Sequence, residues 1–533
     1  MLTGVNPRIQ IGDPLSSAET ARSGAVGIEE DARPGRPTAV VIGAGFGGLA
    51  AGIRLAAKGY RVEVLDRLDS PGGRGTAVHK DGYRFDLGPT IVTAPQVFRE
   101  LWQIAGQDFD ADVDLRPLDP FYEIRFPDGS ALNAYQDVEK MRAEIARLSP
   151  TDLAGYDRFM RDGERRYTFG FEGLGRRPMN RLWELIKVLP TFAWLRADRS
   201  VYAHAAGRVR DERLRMALSF HPLFIGGDPF HVTSMYALVS HLEREYGVHY
   251  AMGGSSALAN AMASVIERLG GRLTYNTEID EIAVENNHVS GVRTTAGRFV
   301  PAHVVVSNAD AGHTYDRLLR KRSRRRWTPA RLKRSRWSMG LFVWYFGTRG
   351  TRGKWADVGH HTILNGPRYR GLVRDIFLKG HLAEDMSLYI HRPTVTDPSA
   401  APDGDDTFYA LSPVPHLGFD DPVDWAREAE PYRQKVQAVL EREVLPGLGD
   451  HLAASHVMTP MDFRDRYLSP HGCGFSIEPR ILQSAWFRPH NVSEEVPGLY
   501  LVGAGTHPGA GLPGVVASAE VLSKLVPAVG VGK

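Results

Sequence analysis

A strand, a glycine-rich turn and a helix follow one another between Ala39 and Lys58, and no other stretch constrains the fold as strongly. Ala39 to Ile42 is a short apolar run with β-branched residues, the pattern of a buried parallel strand. Gly43, Gly45 and Gly48 then give GxGxxG. In that pattern the first glycine permits the tight turn and the second lets backbone approach a pyrophosphate. The third lets helix and strand pack closely. The N-terminus of the following helix offers unpaired N–H groups and the positive end of a dipole. The spacing predicts a helix over Leu49–Lys58 closed by Gly59, then a strand over Arg61–Leu65. That strand ends at Asp66, about 20 residues beyond the glycines, where the ribose of a dinucleotide meets a carboxylate. The competing reading is a glycine turn with no ligand. The flanking strands and the acid weigh against it.

With 533 residues the chain exceeds one ordinary core, which predicts two or three domains. Hydrophobic content of 43% and charged content of 24% are those of a globular protein. A net charge of +3 is too small to imply a nucleic-acid partner. The single Cys473 excludes an intramolecular disulfide framework and a multi-cysteine zinc site, and no metal site is expected. Residues 1–36 lack an apolar signal core and carry Glu29, Glu30 and Asp31, so a disordered leader is expected. No uninterrupted apolar run is long enough to predict a spanning helix, which leaves open a chain that lies on a membrane.

Downstream of Asp66, Pro71-Gly72-Gly73-Arg74 adds a second glycine turn and a guanidinium suited to a phosphate. Tyr83 to Thr90 reads as a strand entering a turn at Gly88-Pro89-Thr90, where backbone can lie against a flat ring. GxGxxG, an acid after the second strand, PGGR and DLGPT together resemble the flavin-dependent amine oxidase and phytoene desaturase superfamily. The resemblance implies FAD rather than NAD.

From about Leu101 to Tyr250 the glycine signature is absent. Ser149-Pro150 looks like a helix start. Met179 to Leu195 is apolar and aromatic around Arg181, Glu184 and Lys187, with Pro190 inside. It reads either as a buried, kinked helix or as an interfacial segment at a lipid-accessible mouth. A helix is expected over Ala257–Leu269, a strand over Arg272–Ile282 and a hairpin turn at Asn286-Asn287. Arg320 to Trp337 is strongly basic. A solvated face, an anionic-lipid patch and a nucleic-acid patch are its three readings. At the C-terminal end, Leu499 to Val502 is a strand running into a glycine loop at Gly503, and a helix is expected over Val516–Leu525. Its N-terminus near Gly514-Val515 suits negative charge on a reduced flavin.

The wording LYLVGAGTHPGAGLPGVV, with HLEREYGVHY, VVSNADAGHTY and QSAWFRPHN, is similar to bacterial-type phytoene desaturases of carotenoid biosynthesis. The resemblance runs from Thr38 to Lys524. It implies an α/β architecture: a Rossmann-like FAD-binding domain split in sequence (37–105, 250–312, 470–533) with an inserted α+β substrate domain (106–249, 313–469). It implies FAD contacts at Gly43, Gly45, Gly48, Asp66, Gly72, Gly73, Arg74, Gly88, Pro89, Thr90, Gly503, Gly514 and Val515, and an adenine contact at Ile279. The superfamily often places an aspartate near Ala504 for the ribityl chain, and this chain departs from that pattern. Implied partners are a lipophilic polyene (phytoene), a membrane surface and, because no second dinucleotide motif is visible, a quinone or oxygen as electron acceptor. Cytoplasmic, peripheral attachment to the inner membrane face follows, without nucleic acid. Removing hydrogen from a hydrocarbon needs a hydride acceptor and a proton acceptor. Glu184, His221 and His507 are the candidates for the proton, each also readable as structural. Cys473 lies in a sequence unlike that of covalent flavin attachment. The alternatives are a later-pathway desaturase, a flavin-dependent carotenoid isomerase, an amine oxidase, and a non-enzymatic escort protein of this fold. Against the last stand the intact glycine motifs.

Overall fold

The computed structural model describes residues 36–529, so the leader read from the sequence lies outside the described residues except for Arg36. Five short strands with apolar centres pair in parallel: β1 (Thr38–Ile42), β2 (Arg61–Leu65), β3 (Arg272–Thr274), β4 (Val304–Ser307) and β5 (Leu499–Leu501). Their order is β3-β2-β1-β4-β5. Val40 sits between Glu63 of β2 and Val305 of β4. Every residue of β4 is buried, as a parallel sheet covered on both faces requires.

Among the helices that bear on the site are α1 (Phe46–Ala57), α2 (Leu182–Trp194), α3 (Gly254–Arg268) and α4 (Leu512–Leu525). On one face of the sheet, Val41 and Val64 pack with Leu49 and Ile53 of α1, Ile266 of α3 and Leu522 of α4. On the other, Val40, Ile42 and Val305 pack against Ile282 and Val292 of a three-stranded antiparallel sheet. The hairpin of that sheet turns at Asn286-Asn287, both in the left-handed region.

A second, seven-stranded sheet is antiparallel except where His361–Leu364 runs parallel to Tyr122–Arg125. One of its two longest strands, Gly340–Thr348, shows how period-two alternation divides labour. Phe342, Trp344 and Phe346 pack with Trp425, Tyr432 and Val436 of the helix Trp425–Glu443. Leu341, Val343 and Tyr345 point the other way and line a cavity.

Four expectations change. Helix α1 begins at Phe46, not Leu49, because Gly47 and Gly48 are helical residues on which β4 and the turn close. The strand expected over Arg272–Ile282 is two strands in different sheets, divided where Asn276 takes a positive φ. Helix α4 starts at Leu512 rather than Val516, so Gly514 and Val515 lie within its first turn. Finally, α2 is not a buried helix: Leu185 is its one buried residue, whereas Leu182, Ile186 and Trp194 are 54%, 57% and 65% exposed.

The basic stretch folds back on acids. Arg320 pairs with Asp280 at 2.7 Å, Lys321 with Glu281 at 2.6 Å and Arg326 with Glu494 at 3.5 Å. Glu495 accepts from the backbone N–H groups of Arg325, Arg326 and Trp327. Arg325, Lys333, Arg334 and Arg336 remain exposed.

Candidate active site

The glycine turns converge on one side chain. A Cβ added to Gly45 would lie 2.9 Å from Asn308 Nδ2, and one added to Gly47 or Gly503 would lie 2.6 or 2.7 Å from Asn308 Oδ1. Asn308, at the end of β4, therefore wedges the N-terminal turn against the C-terminal loop. It sits in the SNAD wording quoted from the sequence, but nothing in a single sequence distinguishes it from any polar residue after a strand. A Cβ on Gly48 would fall 2.0 Å from the Gly43 carbonyl, and one on Gly88 1.8 Å from that of Arg74. These glycines are set by close backbone approach.

Around this cradle opens a cavity of about 740 Å³. Of the residues read from the sequence, Gly43, Gly45, Asp66, Gly72, Gly73, Arg74, Gly88, Pro89, Thr90, Ile279, Gly503, Gly514 and Val515 line it; Gly48 lies beneath, against Gly43. Asp66 Oδ2 accepts from the Ala44 N–H at 2.5 Å and Oδ1 from Leu68 at 2.7 Å. Burial raises its pKa while those two N–H groups oppose the rise. Arg74 donates to Ser469 Oγ at 2.6 Å, and its buried Nε has no partner among the described residues. A cradle without Cβ atoms, a strand-end carboxylate and an unsatisfied guanidinium fit a dinucleotide with its pyrophosphate. At α4, Val515 donates its N–H to the Gly511 carbonyl, so it contributes a side chain and not a free donor. Proline at 513 has no N–H, which leaves Leu512 and Gly514 to present that dipole end.

Under the Gly88 turn, Asp86 is buried with Oδ1 unpartnered; Tyr250 reaches Oδ2 at 3.4 Å. Burial pushes its carboxyl up to about 6, Arg84 opposing. Between its ordinary value and about 6 the folded state holds a proton that the unfolded chain has released. Stability from this group therefore falls as pH rises through that window. Asp86→Asn is expected to raise stability at pH 8 by about 3 kcal/mol and leave it unchanged near pH 4. Denaturant melts at the two pH values check this; equal effects at both would refute it.

Away from the cradle the cavity is apolar, walled by Phe171, Phe192, Met235, Leu238, Leu341 and Val343 among others. One acid stands there. Glu243 Oε2 accepts from Tyr122 OH at 2.8 Å and lies 3.0 Å from His221 Nε2. All three are buried, and Glu243 and His221 line the cavity. Glu243 Oε1 takes no hydrogen bond from the described residues. The sequence offers His221 as a candidate but does not mark Glu243, its partner, which comes 22 residues later on another element.

The other acid–base candidates are placed differently. Glu184 does not line the cavity: its carboxylate accepts from the Arg181 N–H at 2.9 Å and caps α2. His507 lines the cavity with Nε2 3.0 and 3.1 Å from the carbonyls of Leu174 and Arg177, so Nε2 carries the proton. Burial lowers its pKa to about 4, so it is neutral near pH 7. Cys473 is buried outside the cavity lining, its thiol pushed up to about 12 by burial.

The mouth is apolar too. Leu185 and Leu189 of α2, with Ile481 and Leu482, line the cavity; Leu482 is 68% exposed. Among the described residues no helix is long and apolar enough to cross a membrane.

Residues 46–522 match the family described as flavin containing amine oxidoreductase. The chain is 68% identical over 489 residues to the neurosporene-forming phytoene desaturase of Cereibacter sphaeroides, covering 92% of this chain and 94% of that one. It is 44% identical to the lycopene-forming phytoene desaturase of a Paracoccus species, covering 92% and 98%. In fold it is similar to an oxidoreductase from Methanosarcina mazei, with a TM-score of 0.61 at 18% identity, covering 91% and 100%. The chain thus belongs to the flavin containing amine oxidoreductases and, within them, to the bacterial phytoene desaturases, with FAD as its cofactor.

Proposed function

We propose that this protein desaturates phytoene, with neurosporene as the end product, and that Glu243 accepts the proton. The observation that carries the reading is one apolar cavity that joins the FAD cradle to an apolar mouth. A polyene offers no hydrogen-bonding groups, so recognition rests on buried area and shape. The 68% identical relative is named as neurosporene-forming, which supports the choice of product. Bound in the cradle, oxidised FAD supplies the two-electron, hydride-accepting chemistry. The chain's own part is to exclude water, hold the polyene in line, and take the remaining proton at Glu243 Oε1. Tyr122 and His221, both on Oε2, orient that carboxylate. Anaerobic incubation of the FAD-loaded protein with phytoene in liposomes tests the reading. Flavin bleaching with about one new double bond per flavin is expected under anaerobic conditions, and three added double bonds in the extracted pigment once a quinone or oxygen is admitted to reoxidise the flavin. Product without net flavin reduction points to isomerisation, and turnover of a later carotene alone points to a downstream desaturase.

The substrate dissolves in lipid, and the exposed face of α2 surrounds the mouth, so we also propose that α2 and the turn at Ile481-Leu482 rest in the bilayer interface. Lys187, over the Trp183 ring at 3.7 Å, suits the headgroup level. The double variant Ile186→Glu/Trp194→Glu is expected to weaken liposome sedimentation by roughly 10- to 100-fold while keeping its FAD. Undiminished sedimentation would remove this surface from the proposal. A membrane quinone then fits as oxidant, with oxygen as the other acceptor. The cofactor domain (37–105, 250–312, 470–533) and the substrate domain (106–249, 313–469) remain our division. In its support, all five parallel strands fall in the first set and all seven strands of the mixed sheet in the second.

A further inference from the structure

His361 and His391 stand directly opposite each other on neighbouring antiparallel strands, and His360 immediately precedes the first of these strands. One ring nitrogen from each of the three lies within 4.8 Å of the others. His360 Nε2 and His391 Nε2 are 3.1 Å apart. Two ring nitrogens that close need either a proton or a cation between them. A proton there still leaves His361 Nε2 buried with no partner.

The outer contacts are those of metal ligands. His360 Nδ1 lies 2.6 Å from Thr396 Oγ1 and His361 Nδ1 2.7 Å from Tyr389 OH. Each such bond fixes a ring and leaves its Nε2 lone pair for the centre. The three rings are buried, so no bulk water competes for their ring nitrogens. Nearby, Tyr250 packs on His360 and His391, and its OH reaches Arg84 and Asp86. Arg84 is paired with Asp397 at 2.7 Å. Two carboxylates thus stand against one guanidinium beside the three rings.

We propose that His360, His361 and His391 bind a divalent transition metal, Zn²⁺ first among them. Three neutral imidazoles select a d-block cation over Mg²⁺ or Ca²⁺, which prefer oxygen. Tetrahedral Zn–N bonds of about 2.0–2.1 Å place ligand nitrogens about 3.4 Å apart. The His360–His391 pair nearly meets that spacing, and His361 closes it by a small ring movement. The three imidazoles leave the fourth position to a small ligand such as water, and the metal's role is to hold the wall in place. Tyr389 and Tyr409, which touch His361 and His391, line the cavity beside Thr90, so the metal would stiffen that wall. This inference does not depend on the substrate.

The test uses untagged, FAD-loaded protein produced in Zn²⁺-supplemented medium and dialysed extensively. Elemental analysis is expected to give about one Zn²⁺ per chain, and X-ray absorption at the zinc edge an imidazole-nitrogen shell. His361→Gln and His391→Gln are expected to lose about nine-tenths of the metal while exposed His288→Gln keeps it. Should either cluster variant fail to fold, the wild-type zinc-edge spectrum decides. Substoichiometric zinc in the wild type, an oxygen-dominated shell, or full metal content in the folded cluster variants would overturn the proposal.

Discussion

Glu243→Gln is expected to fold, to keep its FAD, and to desaturate phytoene roughly 10²- to 10⁴-fold more slowly. Glutamine preserves the shape, and its amide oxygen still accepts the Tyr122 hydroxyl 2.8 Å from the present carboxylate oxygen. What it lacks is the capacity to take a proton. Water is a poor substitute, because the bound polyene displaces it from the apolar cavity. Tyr122→Phe and His221→Gln should cost less, since each removes one of two groups that orient the same oxygen. Combining either with Glu243→Gln should add little, as residues acting as a unit are not additive. Single-turnover bleaching with prebound phytoene is the readout. Wild-type rates in Glu243→Gln would strike the residue from the mechanism. Glu184→Gln is the contrast: it removes the charge from the α2 cap, and its bleaching rate should match that of the wild type.

The two halves of this site were unequally legible. The cradle could be read because its demands are local. A glycine that must approach a neighbouring carbonyl to within Cβ distance leaves a glycine in the sequence, and such glycines come at fixed spacing after an apolar strand. The tunnel could not be read that way. Leu341, Val343 and Tyr345 face it by alternation, but the same alternation would suit any sheet packed on a core. Glu243 and His221 meet only through the folded chain, and so do His360 and His391. Exposure was the other loss. The apolar composition of α2 fits a buried helix as well as an interfacial one, and only the packing around it shows Trp194 facing outward. The ion pairs of the basic stretch were hidden for the same reason, since the acids that meet Arg320 and Arg326 lie on the hairpin that follows β3 and at Glu494.

Gly48→Ala should purify without flavin and melt below the FAD-free wild type. Its Cβ would sit 2.0 Å from the Gly43 carbonyl, well inside van der Waals contact, and that carbonyl belongs to the turn held against β2 by the Gly43 N–H to Leu65 bond. Relief requires α1 to move away from β1. That motion would open the core in which Leu49 and Ile53 pack against Val41 and Val64, and it would carry the helix N-terminus off the pyrophosphate site. Overpacking a core commonly costs about 1–3 kcal/mol, and a clash between two backbones leaves no rotamer through which to relax. Gly47→Ala meets Asn308 Oδ1 at 2.6 Å, a side chain that can turn, and the Gly503 backbone at 3.1 Å, a milder approach than at Gly48, so it should weaken FAD binding without unfolding the chain. Gly359→Ala, with nothing within 4 Å of its Cβ, should be silent. The graded order Gly359, Gly47, Gly48 in flavin content and melting temperature is the expected result. A Gly48→Ala protein with full FAD would mean that the turn tolerates a displaced helix and that close approach is not what requires glycine there.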